Sequence, residues 1–216
     1  MAQTEENENQ EKEAQILDAA CSEFLAHGKN GTRMQGIADR AGVNKALVFY
    51  YFHSKDLIFQ AVVDRNFRML IETMTMNVDF TAPAESIIRQ FTHNHIGVIA
   101  KNRELFQFFS GEIWMNPEEL INGISVSLKK QTKAVYSGFE ARIAAAVQKH
   151  EIRSIQPLQL LLNIVSLDVF YFIAAPIIFS LTGTSAAEQK RIAQKREDEV
   201  ADFIWNAIKY EGGNGI

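Results

Sequence analysis

At 216 residues the chain exceeds one typical domain and is long enough to bury a sizeable core. Its 47% hydrophobic and 22% charged residues, with 12 glycines and 4 prolines, exclude fibrous and low-complexity classes. A net charge of only −4, taken alone, argues against nucleic acid, and the single Cys21 excludes an intrachain disulfide and points to a reducing cytosol.

Residues 1–9 are polar and acidic, which predicts a disordered tail and no secretory signal. Residues 10–27 predict a first helix, with Ile16, Leu17, Ala20, Phe24 and Leu25 at helical spacing and Gly28 just past its end. Cys21 falls on this helix among Ala19, Ala20 and Phe24 and reads as a small buried hydrophobe.

Residues 32–55, TRMQGIADRAGVNKALVFYYFHSK, organise the rest. Thr32 with Gln35 three residues later predicts a capping box, with a helix opening at Arg33 and stopping at Gly42. Asn44 is then the N-cap of a second short helix running from Lys45 through Phe52. Two short helices joined by a tight glycine-containing turn form a helix-turn-helix, whose second helix can lie in the DNA major groove. Positive charge collects at the same place: between His27 and Lys55, Lys29, Arg33, Arg40, Lys45 and Lys55 stand against Asp39 alone. The four aromatics Phe49, Tyr50, Tyr51 and Phe52 cannot all face one side of a helix, so one or two of them must be exposed.

The runs Ile37-Ala38, Ala41-Gly42-Val43-Asn44, Phe49-Tyr50-Tyr51-Phe52 and Ser54-Lys55-Asp56-Leu57 resemble the DNA-binding domain of TetR-family transcriptional regulators, over a stretch from about Ile16 to Val62. The resemblance implies that Lys45, Ala46, Leu47 and Phe49 meet base edges and that Thr32, Tyr51 and Lys55 meet phosphates. Arg33, Asn44 and Tyr50 complete the candidate DNA-binding set. The chain departs from the common pattern at Ala46, where glycine is frequent, at Leu47, where a hydroxyl residue is frequent, and at Phe49, where tyrosine is frequent. Tyr50 is a substitute for the hydroxyl lost at Phe49. Leu47 suits a thymine methyl, and Lys45 suits either guanine O6 and N7 or a phosphate.

Further helices are predicted over 56–78, 84–101 and 103–115, the last opening after Asn102 as a cap. Another runs from Pro117, with an interruption, to about 150. Pro157 opens the most apolar stretch, 158–181, which is long enough to span a bilayer. It contains Asn163, Asp168 and Pro176, and an aspartate at a bilayer centre costs roughly 2.5 to 3.5 kcal/mol. The stretch therefore predicts a fully buried helix of a soluble protein rather than a membrane span, needing partners on nearly all sides and hence a subunit interface. Ser185 with Glu188 predicts the capping box of a last helix reaching about Tyr210, before a flexible tail at 211–216.

No strand pattern appears, so the fold class is all-α: a three-helix DNA-binding domain at 10–55 and a C-terminal helical effector-binding and dimerisation domain at 56–210. His93 and His95, two apart, point to different helix faces and do not form a metal pair. Aromatic-rich helices nominate Phe91, His95, Phe106, Phe109, Glu112, Trp114, Phe170 and Tyr171 as the lining of an effector cavity, with His95 and Glu112 as polar anchors. The competing reading is that these aromatics fill a solid core. No phosphate loop, zinc-ligand spacing or nucleophile elbow is present in the sequence, so neither enzymatic activity, nor a metal, nor a cofactor is expected. The resemblance implies a cytoplasmic homodimer that binds an inverted-repeat operator, most simply as a repressor released by an apolar or amphipathic small molecule. The alternative is a constitutive nucleoid-type DNA-binding protein with no effector.

Overall fold

A computed structural model describes residues 2–210, and the expected tail at 211–216 lies outside them. Among the described residues there are ten helices and no strand; a single isolated bridge joins Ile152 to Lys209. Helix α1 spans Ala2–Gly31, α2 Met34–Ala41, α3 Lys45–Phe52, α4 Lys55–Thr75, α5 Ala84–Lys101, α6 Arg103–Met115, α7 Pro117–Gly123, α8 Val126–Gln148, α9 Pro157–Thr182 and α10 Ala186–Ile208.

The chain divides into two compact units, residues 1–69 with 102–129, and residues 70–101 with 130–216. In the first, Ile16, Ala20 and Phe24 of α1 meet Ile37 and Ala38 of α2, Val48 and Phe52 of α3, and Ile58, Phe59, Val62 and Val63 of α4 in one buried cluster. Phe24 and Phe59 pack edge to face at 5.2 Å. Phe109 of α6 and Leu120 of α7 close the same core. In the second unit α5 packs against α9 and α10, burying Ile87, Ile88, Phe91 and Ile99 together with Leu160, Ile164, Val200, Ile204 and Ile208.

The structure corrects three expectations. The acidic segment read as a disordered tail is helical from Ala2 onward, because Glu, Gln and Lys are good helix formers and extend the amphipathic α1 that follows. Thr32 does not cap α2. Arg33 is the N-cap and makes no side-chain cap, while the buried Thr32 hydroxyl turns back to the carbonyls of Glu23 (3.0 Å) and Gly28 (2.8 Å). Asn102, expected to cap α6, makes no side-chain cap either.

The expectation of a fully buried α9 also changes. Only Leu160, Ile164, Asp168 and Ala175 are buried within the chain, while Leu158, Leu162, Phe170, Ile173, Ile177, Ile178 and Leu181 are exposed. By length and composition α9 remains apolar enough to cross a membrane. One face packs on α5 and α10, and the other has no cover among the described residues.

Candidate nucleic-acid interface

Gly42 makes the turn between α2 and α3 possible, with φ at 63° and its N–H returned to the carbonyls of Ala38 and Asp39. Asn44 then accepts a 2.8 Å hydrogen bond from the Leu47 amide, capping α3 as its sequence position predicts. With Val48 and Phe52 committed to the core, the opposite side of α3 presents Lys45 and Ala46, with Phe49 at 41% and Tyr50 at 69% exposure. Leu47 and Tyr51 are half-buried. The Lys45 ammonium sits 5.7 Å from the centre of the Phe49 ring, a cation–π arrangement that holds the charge over an exposed aromatic.

The charges around α3 are sorted by their partners. Lys29 is tied to Asp56 at 2.9 Å and to Glu119. Burial pushes its ammonium down, but the two carboxylates outweigh this and hold it above the ordinary lysine range. Arg40 is bound to Glu23 at 2.7 Å. These two cations, counted above as phosphate-neutralising charge, are spent on carboxylates. Arg33 and Lys45 remain exposed, at the N-terminal ends of α2 and α3, where backbone amides also favour an anion.

Three expected phosphate contacts have other engagements. The Thr32 hydroxyl and amide both point to backbone carbonyls of its own corner. Lys55 directs its ammonium at the carbonyls of Asn30 and Thr32, at 3.4 and 3.3 Å, pinning the α1–α2 corner. Tyr51 donates its hydroxyl to Asn9 of α1, a contact that the reading of residues 1–9 as a loose tail could not include.

The expected effector lining is not brought together in one unit. Phe106, Phe109, Glu112 and Trp114 belong to the first unit; Phe91, His95, Phe170 and Tyr171 belong to the second. Phe109 is packed edge to face against Phe67 and Phe108, at 5.7 and 5.2 Å, and fills the core. Trp114 is 84% exposed, and Glu112 accepts a hydrogen bond from Asn116 one turn on. Phe91 packs against Phe139 and His95. Residues 166–179 of α9, including Phe170 and Tyr171, line a cleft of about 430 Å³ together with Ile192 and Arg196 of α10. Sequence reading passed over Arg196 and treated Asp168 only as an obstacle to membrane insertion. A lone carboxylate in an otherwise apolar helix demands a buried partner, and that was the available signal.

Residues 16–62 match the family model for bacterial regulatory proteins of the tetR family. The regulator RutR of Escherichia coli is 26% identical over 178 residues, covering 82% of each chain. The N-terminal segment carries the TetR-family signature. FasR, a transcriptional activator of Mycolicibacterium smegmatis, is 24% identical to this chain over 143 residues, covering 63% of this chain and 65% of its own. Among solved structures, a transcriptional regulator from Streptomyces coelicolor superposes with a TM-score of 0.69 at 18% identity, over 92% of this chain and 99% of its own. FadR of Bacillus subtilis, solved with stearoyl-CoA, gives a TM-score of 0.65 at 16% identity, over 93% and 99% of the two chains. At these identities the structural likenesses establish the fold of the chain alone.

Proposed function

We propose that the chain is a TetR-family transcriptional regulator, a homodimeric, ligand-responsive repressor that binds an inverted-repeat operator in the cytoplasm and is released by a small apolar or amphipathic effector. The observation that carries the DNA reading is the outward side of α3: a helix capped by Asn44, offering Lys45, Ala46, Phe49 and Tyr50 on a segment that matches the family's DNA-binding region. Residues 10–55 read the operator, and residues 56–210 dimerise and take the effector. Arg33 and Lys45 supply charge to the backbone, and Leu47 and Phe49 supply apolar contact to base edges.

A second copy of the chain is the natural cover for the exposed stripe of α9, and Phe203 of α10 in the same unit is likewise 64% exposed. An uncovered apolar helix face of this length disfavours a lone soluble chain, and two copies packed face to face form a four-helix bundle across a two-fold axis. The dimer then presents two copies of α3 to successive major grooves. An effector that binds better to a conformation with misplaced reading heads lowers operator affinity by population shift. FadR, crystallised with an amphipathic acyl ligand, supports an effector of that character.

Selection from random duplexes followed by footprinting tests the proposal. Enrichment of a palindromic site with half-sites about one helical turn or a multiple apart is the expected result. Enrichment of a single asymmetric half-site, or none, overturns it.

A further inference from the structure

Tyr51 of α3 spends its hydroxyl on a residue that lies outside the family signature. Its O–H donates to Oδ1 of Asn9 on α1, upstream of residues 16–62. The Tyr51 ring is held edge to face against exposed Tyr50 at 5.3 Å and tilted against buried Phe52 at 6.3 Å. Residues 7–15 of α1 are exposed on every side, so burial of apolar surface does not hold them in place. Two side-chain bonds tie them to the helix-turn-helix: the one from Tyr51 to Asn9, and a 2.7 Å bond from Gln15 Nε2 to the Ala41 carbonyl at the end of α2. The turn of α1 at Asn9 therefore stands beside the C-terminal end of α3.

Donor arithmetic decides what this pair can offer a nucleic acid. A phosphate oxygen accepts hydrogen bonds and gives none, and a tyrosine hydroxyl has a single proton. With that proton on Asn9 Oδ1, Tyr51 has nothing to donate to a phosphate. Asn9 has: its oxygen is occupied, and its two Nδ2 protons are left for solvent or for an acceptor. The charges next to it on the helix surface cancel, because Lys12 and Glu13 stand three and four residues on, while Glu8 and Glu11 project from other faces.

We propose that Asn9 is a DNA-backbone contact of this protein, donating from Nδ2 to a phosphate at the edge of the groove that α3 enters, and that Tyr51 is the positioning residue that fixes its carboxamide. The inference rests on the operator-binding reading above and adds to it a contact from α1. Because Asn9 is neutral, the contact contributes a hydrogen bond to a charged acceptor without itself releasing a counterion. It fixes the protein on the backbone and carries no base preference.

The test titrates the full-length protein and its variants against a selected operator and a random-sequence duplex, each across several salt concentrations. Asn9→Ala should weaken binding to both duplexes by roughly tenfold with the salt slope unchanged. Asn9→Lys places a cation at the phosphate and should steepen the slope by about one unit for each phosphate met, a readout that a merely structural role would not move. Tyr51→Phe keeps the ring and should weaken binding about as much as Asn9→Ala, with the double variant losing no more than about a further twofold, because both changes break one link. Asn9 is exposed, so its two variants should melt in urea as the parent does, which keeps folding out of the comparison. Unchanged or tighter binding by Asn9→Ala is what a phosphate contact from Tyr51 itself would give, and it overturns the proposal, as does a parental slope in Asn9→Lys. If the parent binds the operator and these variants match it, this contact falls and the DNA reading stands. A parent that binds neither duplex overturns the operator-binding reading itself.

Discussion

Arg40 on α2 donates from Nε to Glu23 Oε1 on α1 at 2.7 Å, and the receiving carboxylate is almost wholly buried, at 10% exposure. This bond holds the first helix of the helix-turn-helix against α1, and Gly36 leaves the room for it. A Cβ at Gly36 would lie 2.9 Å from the other Glu23 oxygen. Because Arg40 is itself 46% exposed, solvent screens the pair, and Glu23→Gln should destabilise the protein by only about 1 kcal/mol. Urea melts read the loss, and operator titrations should show weaker binding than the stability change alone accounts for, since α2 positions α3.

Asn44→Ala removes the side-chain acceptor for the Leu47 amide and should cost about 1 kcal/mol of stability. Asn44→Asp retains the acceptor and should retain the stability. Thermal melts of the two variants side by side check the cap; equal losses would show that the 2.8 Å bond contributes little.

Arg33→Ala should weaken binding to all duplexes and reduce the slope of log affinity against log salt by about one unit, as expected for one phosphate contact. Lys55→Ala, whose ammonium is committed to the carbonyls of Asn30 and Thr32, should instead lower stability with little change in slope. Titrations across several salt concentrations separate the two, and a reversed pattern would exchange their roles.

Ile177 and Phe203 are each 64% exposed within the chain, so Ile177→Glu and Phe203→Glu should hardly alter the fold of a subunit. In the proposed dimer each places a charge in an apolar interface. Light scattering at micromolar concentration should report monomers that keep their helical circular dichroism and bind the operator far more weakly. Variants that remain dimeric would move the interface elsewhere.

Asp64 accepts hydrogen bonds from the Ser125 amide at 2.8 Å and from Arg68 at 2.9 Å. Burial pushes its carboxyl up, but the bonds from Ser125 and Arg68 outweigh it and leave the group below the ordinary carboxylate value. The folded state thus binds the proton less readily than the unfolded one. The stabilisation is complete above the unfolded carboxylate value, near about 3.9, and is lost as pH falls through the lower folded value. Asp64→Asn should lower stability at pH 7 and differ less from the parent as acid titrates the group, which paired urea melts would measure.

The sequence by itself determined the local punctuation of the chain and the family signature. Proline and glycine act on their own backbone and an N-cap acts within one turn, so the start of α5 after Pro83, the Asn44 cap of α3, the Ser185 cap of α10 and the Gly42 turn follow from neighbours in sequence. Only the tertiary structure decided which functional groups are already spent. Lys29 and Arg40 look like phosphate ligands in sequence, yet carboxylates from Glu23, Asp56 and Glu119 neutralise them, and no local pattern encodes a partner 90 residues away. Phe109 and Phe170 are alike as residue types, but one closes a core and the other is left open on α9, because burial depends on which helices happen to pack beside each. The pairing of His95 with Asp168 across 73 residues is of the same kind. A carboxylate that reads as an interruption of an apolar helix becomes the buried partner of a histidine only when α5, α9 and α10 are brought together.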